Sequence, residues 1–156
     1  MTSEEDLFAP SLQGDAPARV KALPWRVTSQ FWPAFFGGSL AVGALAWMNG
    51  RRLGLSPERQ RWIAISTLMA FALSVGLIAY FVTLPRDLRV WARRGVQAVG
   101  VALYLVLARI QQPADRRPQM FEGKYASMWG PGFLAFLGSA VVLFLVALAA
   151  VMATSR

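Results

Sequence analysis

The stretch FLAFLGSAVVLFLVALAAVMA, residues 133–153, decides the class of fold. Its 21 residues carry no charge, and as a helix rising about 1.5 Å per residue they reach roughly 30 Å, the thickness of a bilayer's hydrocarbon core. The Trp129-Gly130-Pro131-Gly132 break sets it off from the polar segment before it. A window like this reads as a membrane span, and the rest of the chain is read against it.

Moving towards the N-terminus, residues 62–84 give a second uncharged window of 23 residues, closed by Pro85. Ser56-Pro57-Glu58 ahead of it reads as an N-cap, a first-turn proline and a first-turn acid, so the helix starts before the apolar run. Residues 31–48 form a third window, with Ser29 as N-cap and Pro33 in the first turn. Its 18 residues reach about 27 Å, just enough to cross. Between the strong windows, residues 95–108 supply only 14 uncharged residues, about 21 Å of helix. That is a short span or a re-entrant element, with Arg93, Arg94 and Arg109 at its ends. The fold class expected is therefore all-α: a polytopic helical membrane protein with four hydrophobic helices, at about 31–49, 62–84, 95–110 and 133–153. A polar, flexible N-terminal tail over residues 1–30 precedes this membrane domain of residues 31–154, since Pro10, Pro17 and Pro24 interrupt a stretch without apolar periodicity.

Composition supports the reading. The 156 residues are 56% hydrophobic and 15% charged, and the charges collect in the connectors, as partitioning into lipid requires. All six tryptophans (Trp25, Trp32, Trp47, Trp62, Trp91 and Trp129) lie within a few residues of a window's end, which is the aromatic-belt pattern. The net charge of +8 is compatible with nucleic acid or with an anionic lipid surface. Because the basic residues flank the windows, the lipid surface is the expected partner and nucleic acid is not. Arg51, Arg52, Arg86, Arg89, Arg93 and Arg94 are the expected headgroup contacts. Orientation stays open: four spans divide the 16 basic residues eight to eight, whereas a third segment that does not cross divides them eleven to five.

Chemistry is constrained by what is missing. With no Cys and no His, the chain has no thiolate nucleophile, no zinc site of the usual ligands and no Ser-His-Asp triad. No acid falls inside an apolar window, whereas ion and proton pathways need ionisable groups at membrane depth. Asp115 and Glu122 stand near Arg116, Arg117 and Lys124, which reads as a solvated loop. The glycine-rich runs match neither a phosphate-binding loop nor a dinucleotide fingerprint. No cofactor, metal or catalytic residue is expected. Ser39 and Gly43, with Gly38 beside them, form a small-residue face on which another helix can pack, and Gln97 is placed to hydrogen-bond across to a neighbour. Asn49 next to Gly50 reads as helix-end punctuation. The hydroxyls of the second window are expected to bond back to their own helix.

Asn49-Gly50-Arg51-Arg52-Leu53-Gly54, Leu84-Pro85-Arg86-Asp87-Leu88, residues 103–111 and Trp129-Gly130-Pro131-Gly132 carry a resemblance. Over residues 31–153 the chain resembles a loose group of small bacterial multi-pass membrane proteins. The resemblance implies this architecture and a bacterial inner-membrane setting, and brings no activity with it. The function expected is non-enzymatic: a self-associating module or an accessory subunit of a membrane assembly, with a second copy or another membrane protein as partner. The alternative is an oligomeric channel or small-solute transporter, followed by a membrane-bound enzyme acting on lipid.

Overall fold

The computed structural model describes residues 23–121 and 124–154, with the side chains of residues 86, 87, 89, 92, 117–121 and 154 outside the description. A 3-10 turn at Val27–Gln30 leads into α1 (Phe31–Arg52), α2 (Pro57–Val82), α3 (Arg86–Phe121) and α4 (Trp129–Thr154), and no strand occurs among the described residues. Three stretches are long and apolar enough to cross a membrane: Val27–Arg52, Pro57–Val82 and Trp129–Ala153.

The first of these has the length and composition of a span but not its course. Gly38 sits at φ 69°, ψ −159°, a backbone region that a Cβ closes to every residue except glycine, and it breaks α1 into two arms. An unbroken helix would hold Trp25 and Asn49 roughly 36 Å apart. Instead the Trp25 N–H donates to Asn49 Oδ1 at 2.7 Å. Gln30, just before the first arm, and Asn49, near the end of the second, both donate to Gln111 Oε1, at 3.2 Å and 2.9 Å. The arms form a hairpin with Gly38 at its tip and both ends at one level, here called the base. The expectation of a straight first span is corrected accordingly. Window length cannot register a reversal, and Gly37-Gly38 is the only local sign of one.

The other helices line up along this hairpin. The second arm runs antiparallel to α2, pairing Ser39 with Ser74 (Oγ to Oγ, 3.4 Å), Gly43 with Thr67, and Gly50 with Gln60 and Ile63. The first arm runs parallel to α4, from Pro33 beside Gly132 to the tip, where the Ser139 hydroxyl donates to the Gly37 carbonyl. Helix α3 runs from the tip to the base: Gly100 lies on the backbone of Ala34 and Gly38, Tyr104 packs edge-on against Phe31 at 5.7 Å, and Gln111 reaches the base. In lipid the hydrophobic effect does little to join helices, so close approach of small residues must do it. Gly37, Gly38, Ser39, Ala41, Gly43 and Ala46 are all buried in α1, consistent with its central position.

Helix α3 is longer than the 95–110 segment expected. It runs unbroken for 36 residues, about 54 Å, through Pro113 and past residue 110, where the expected segment ends. Val96, Gly100, Leu103, Leu107, Gln111 and Asp115 are buried at intervals of three and four, one continuous helix face. Pro113 is exposed on the other side, and packing at Gln111 and Asp115 outweighs the roughly 3 kcal/mol that an internal proline costs. The expected tail also ends early: Trp25, Val27 and Gln30 are buried in the bundle, while residues 1–22 lie outside the described residues. Two local readings hold. The Ser56 side chain accepts from Arg59 N ahead of Pro57, and Ser66, Thr67, Ser74 and Thr83 each donate to a carbonyl one turn earlier in α2.

Candidate functional site

The hairpin is closed at its base by a buried amide cluster. Asn49 and Gln111 are fully buried, and Gln30 and Trp25 are 1% exposed. The Asn49 amide pairs with the Trp25 backbone as a neighbouring strand would: Oδ1 accepts from its N–H at 2.7 Å and Nδ2 donates to its carbonyl at 3.0 Å. The same Nδ2 donates to Gln111 Oε1, and Gln111 Nε2 reaches the Ala46 carbonyl at 3.5 Å. Arg52 covers the pair, its guanidinium 3.9 Å from the centre of the Trp25 ring and donating to the Leu23 carbonyl at 2.9 Å. Carboxamides do not titrate, and these are occupied by one another and by backbone. The cluster is therefore suited to locking the chain reversal and not to proton transfer.

The loop ahead of α4 joins this base. Ala126 N donates to the Pro24 carbonyl at 3.0 Å, and the Tyr125 hydroxyl donates to Asp115 Oδ1 at 3.1 Å. Asp115 is 3% exposed, which corrects the solvated-loop reading; Glu122, its expected companion, lies outside the described residues. Asn49 escaped the sequence reading because it resembled ordinary helix-end punctuation, and Gln111 because it lies just beyond the segment expected at 95–110. The signal that finds Gln111 is the three-and-four spacing of the α3 face, continued past its apolar part, whereas Asn49 becomes informative only through its contact with Trp25.

The remaining expected residues are dispersed. Gly38 is the tip, Ser39 faces Ser74, and Gly43 lies so close to Thr67 that a Cβ there would fall 2.1 Å from its Cγ2. Gln97 is half-buried and borders a small cavity of about 260 Å³ beyond the tip, with Gly38, Arg93, Val96 and Leu143. Arg51, Arg93 and Arg94 are exposed, and Arg94 stacks on the Trp91 ring at 4.8 Å. Arg52 donates to the Leu23 carbonyl and stacks on Trp25. The side chains of Arg86 and Arg89 are outside the description. A larger groove of about 940 Å³ opens between the first arm of α1 and α4. Among the described residues, no three His, Cys, Asp or Glu converge on a point where a metal ion could sit.

No family model matches this chain, and neither a curated protein nor a solved structure does. Its class is a helical protein with membrane-crossing capacity and a hairpin of two half-length helices in its interior, and the function has to be argued from that geometry.

Proposed function

We propose that the chain is a non-enzymatic integral membrane protein, a self-associating module or accessory subunit, in which α2, α3 and α4 cross the bilayer and α1 enters and leaves on one side. Non-helical backbone at membrane depth is tolerated where protein surrounds it. This course supports that condition, because α2, α3 and α4 enclose the tip on Ser74, Gly100 and Ser139.

The observation that carries the assembly reading is the outer face of α2. Ala72, Gly76 and Ala79 are exposed there at intervals of four and three, and nothing lies within 4 Å of where a Gly76 Cβ would be. Small residues in a row let a second helix approach backbone to backbone. Gly76→Leu is expected to convert a multi-chain particle in mild detergent into one of lower mass without changing its melting temperature. Intact-particle mass measurement checks this, and an unchanged mass, or a wild-type particle of a single chain, contradicts it.

The course also supports an orientation. Among the described residues Arg26, Arg51, Arg52, Arg59, Arg61, Arg109, Arg116, Arg117 and Lys124 fall towards the base, against Arg86, Arg89, Arg93 and Arg94 towards the other side, nine to four. The positive-inside rule then turns the base to the cytoplasm, in a bacterial inner membrane on the resemblance given above. The channel or transporter reading keeps one observation in its favour, the cavity at the tip with Arg93 and Gln97 on its wall.

A further inference from the structure

We propose that the groove between the first arm of α1 and α4 is a binding site for one anionic phospholipid of the base-side leaflet, its phosphate held by Arg26 and an acyl chain lying between the helices. The inference rests on membrane insertion but not on self-association.

Three observations converge on that occupant. The walls along the helices are Trp32, Phe36, Phe133 and Phe136, apolar and aromatic, at the depth where α1 and α4 run parallel from base to tip. The close approach of Pro33 to the buried Gly132, 3.6 Å from where its Cβ would lie, makes the space between the helices a concave trough and not a flat lipid-facing surface. At the base end Arg26 is, among the described residues, the one charged side chain on the lining, accompanied by hydroxyls that include Ser127.

That cation is held in place. Its guanidinium stands 5.3 Å from the centre of the Tyr125 ring, Tyr125 is bonded to the buried Asp115, and the neighbouring Ala126 is bonded to Pro24. An exposed, positioned guanidinium at the mouth of an apolar trough complements a ligand with a phosphate at one end and a hydrocarbon chain at the other. Basic side chains at the cytoplasmic surface are worth about 1 kcal/mol each towards anionic lipid, and a direct guanidinium–phosphate bond adds to this.

The test is native mass spectrometry of the full chain in mild detergent after delipidation, with phosphatidylglycerol added. The wild type is expected to hold one phosphatidylglycerol per chain, to prefer it over phosphatidylcholine, and to keep it when inorganic phosphate is added. Arg26→Ala is expected to weaken retention by about fivefold to tenfold, the loss of one such contact. Arg26→Lys should keep most of it. Arg61→Ala, which removes the same charge from an exposed position on the same side of the molecule but off the groove lining, should leave retention unchanged. Equal loss in Arg26→Ala and Arg61→Ala would mean diffuse attraction and overturn the site. Equal retention of the two lipids, displacement by phosphate alone, or a second copy of the chain in place of lipid would overturn it as well. Recovery of each variant in the membrane fraction reads insertion separately, so failure of the site and failure of the membrane reading are distinguishable.

Discussion

Asn49→Ala is expected to lower the melting temperature in detergent by roughly 10 °C, the consequence of losing about 3 to 5 kcal/mol. The side chain is fully buried and makes three hydrogen bonds, two to the Trp25 backbone and one to Gln111. Alanine removes all three and leaves the Trp25 N–H and carbonyl without their amide partner. A buried polar group left in that condition costs about 1 to 3 kcal/mol. Gln111 Oε1 retains the Gln30 amide, so the loss is concentrated at Trp25. The fluorescence of Trp25 supplies a second readout, since release of its backbone should let water reach the indole and shift emission to the red. A wild-type melting temperature in Asn49→Ala would mean that the amide cluster does not hold the hairpin closed.

The second large effect is expected where α3 crosses the hairpin tip. A Cβ on Gly100 would stand 2.5 Å from the Ala34 carbonyl oxygen and 2.9 Å from the Gly38 Cα, both backbone atoms with no rotamer to move into. Gly100→Ala must therefore push α3 away from the hairpin as a body. At Gly43 a Cβ would meet Thr67 at its Cγ2, its Oγ1 and, at 2.8 Å, its Cβ, which no side-chain rotation moves, so Gly43→Ala must likewise push the second arm and α2 apart, whereas at Gly76 a Cβ would meet nothing. The expected result is a melting temperature close to wild type for Gly76→Ala and well below it for both Gly43→Ala and Gly100→Ala. Gly38→Ala belongs with the destabilised pair for a different reason, the roughly 1 to 3 kcal/mol cost of a side chain at its backbone angles. Thermal melting of the four variants checks this, and a Gly100→Ala protein as stable as Gly76→Ala would contradict the contact.

These positions mark how far the sequence could be read. Helix α4 and the start of α2 were legible because their signals are local: an uncharged run of bilayer length, and Ser56-Pro57-Glu58 as cap, proline and acid. The reversal in α1 was not. An 18-residue apolar window has the same composition whether it runs straight or doubles back, and the feature that distinguishes the two is a contact between residues 24 positions apart. Helix α3 was misjudged from the opposite side. Charged residues and two prolines shortened it to the apolar middle, although its buried face runs on from Leu107 to Gln111 and Asp115. A polar residue on that face contributes by its hydrogen bonds, which a hydropathy window counts against it. The same error hid the site, because Asn49 and Gln111 are informative only once the hairpin brings them together. Orientation stayed undecided as well, since a four-span count divides the basic residues evenly.

The central claim is that both ends of α1 lie on one side of the membrane. The chain contains no cysteine, so single-cysteine variants report position without background. Leu23→Cys, Thr83→Cys, Glu58→Cys and Ser127→Cys each place a thiol at an exposed position, before the hairpin, between α2 and α3, at the start of α2, and ahead of α4. Labelling with a membrane-impermeant maleimide, from outside intact cells and then in opened membranes, should put positions 23, 58 and 127 on one side and position 83 on the other. Positions 23 and 58 on opposite sides would make α1 a crossing helix and contradict the account.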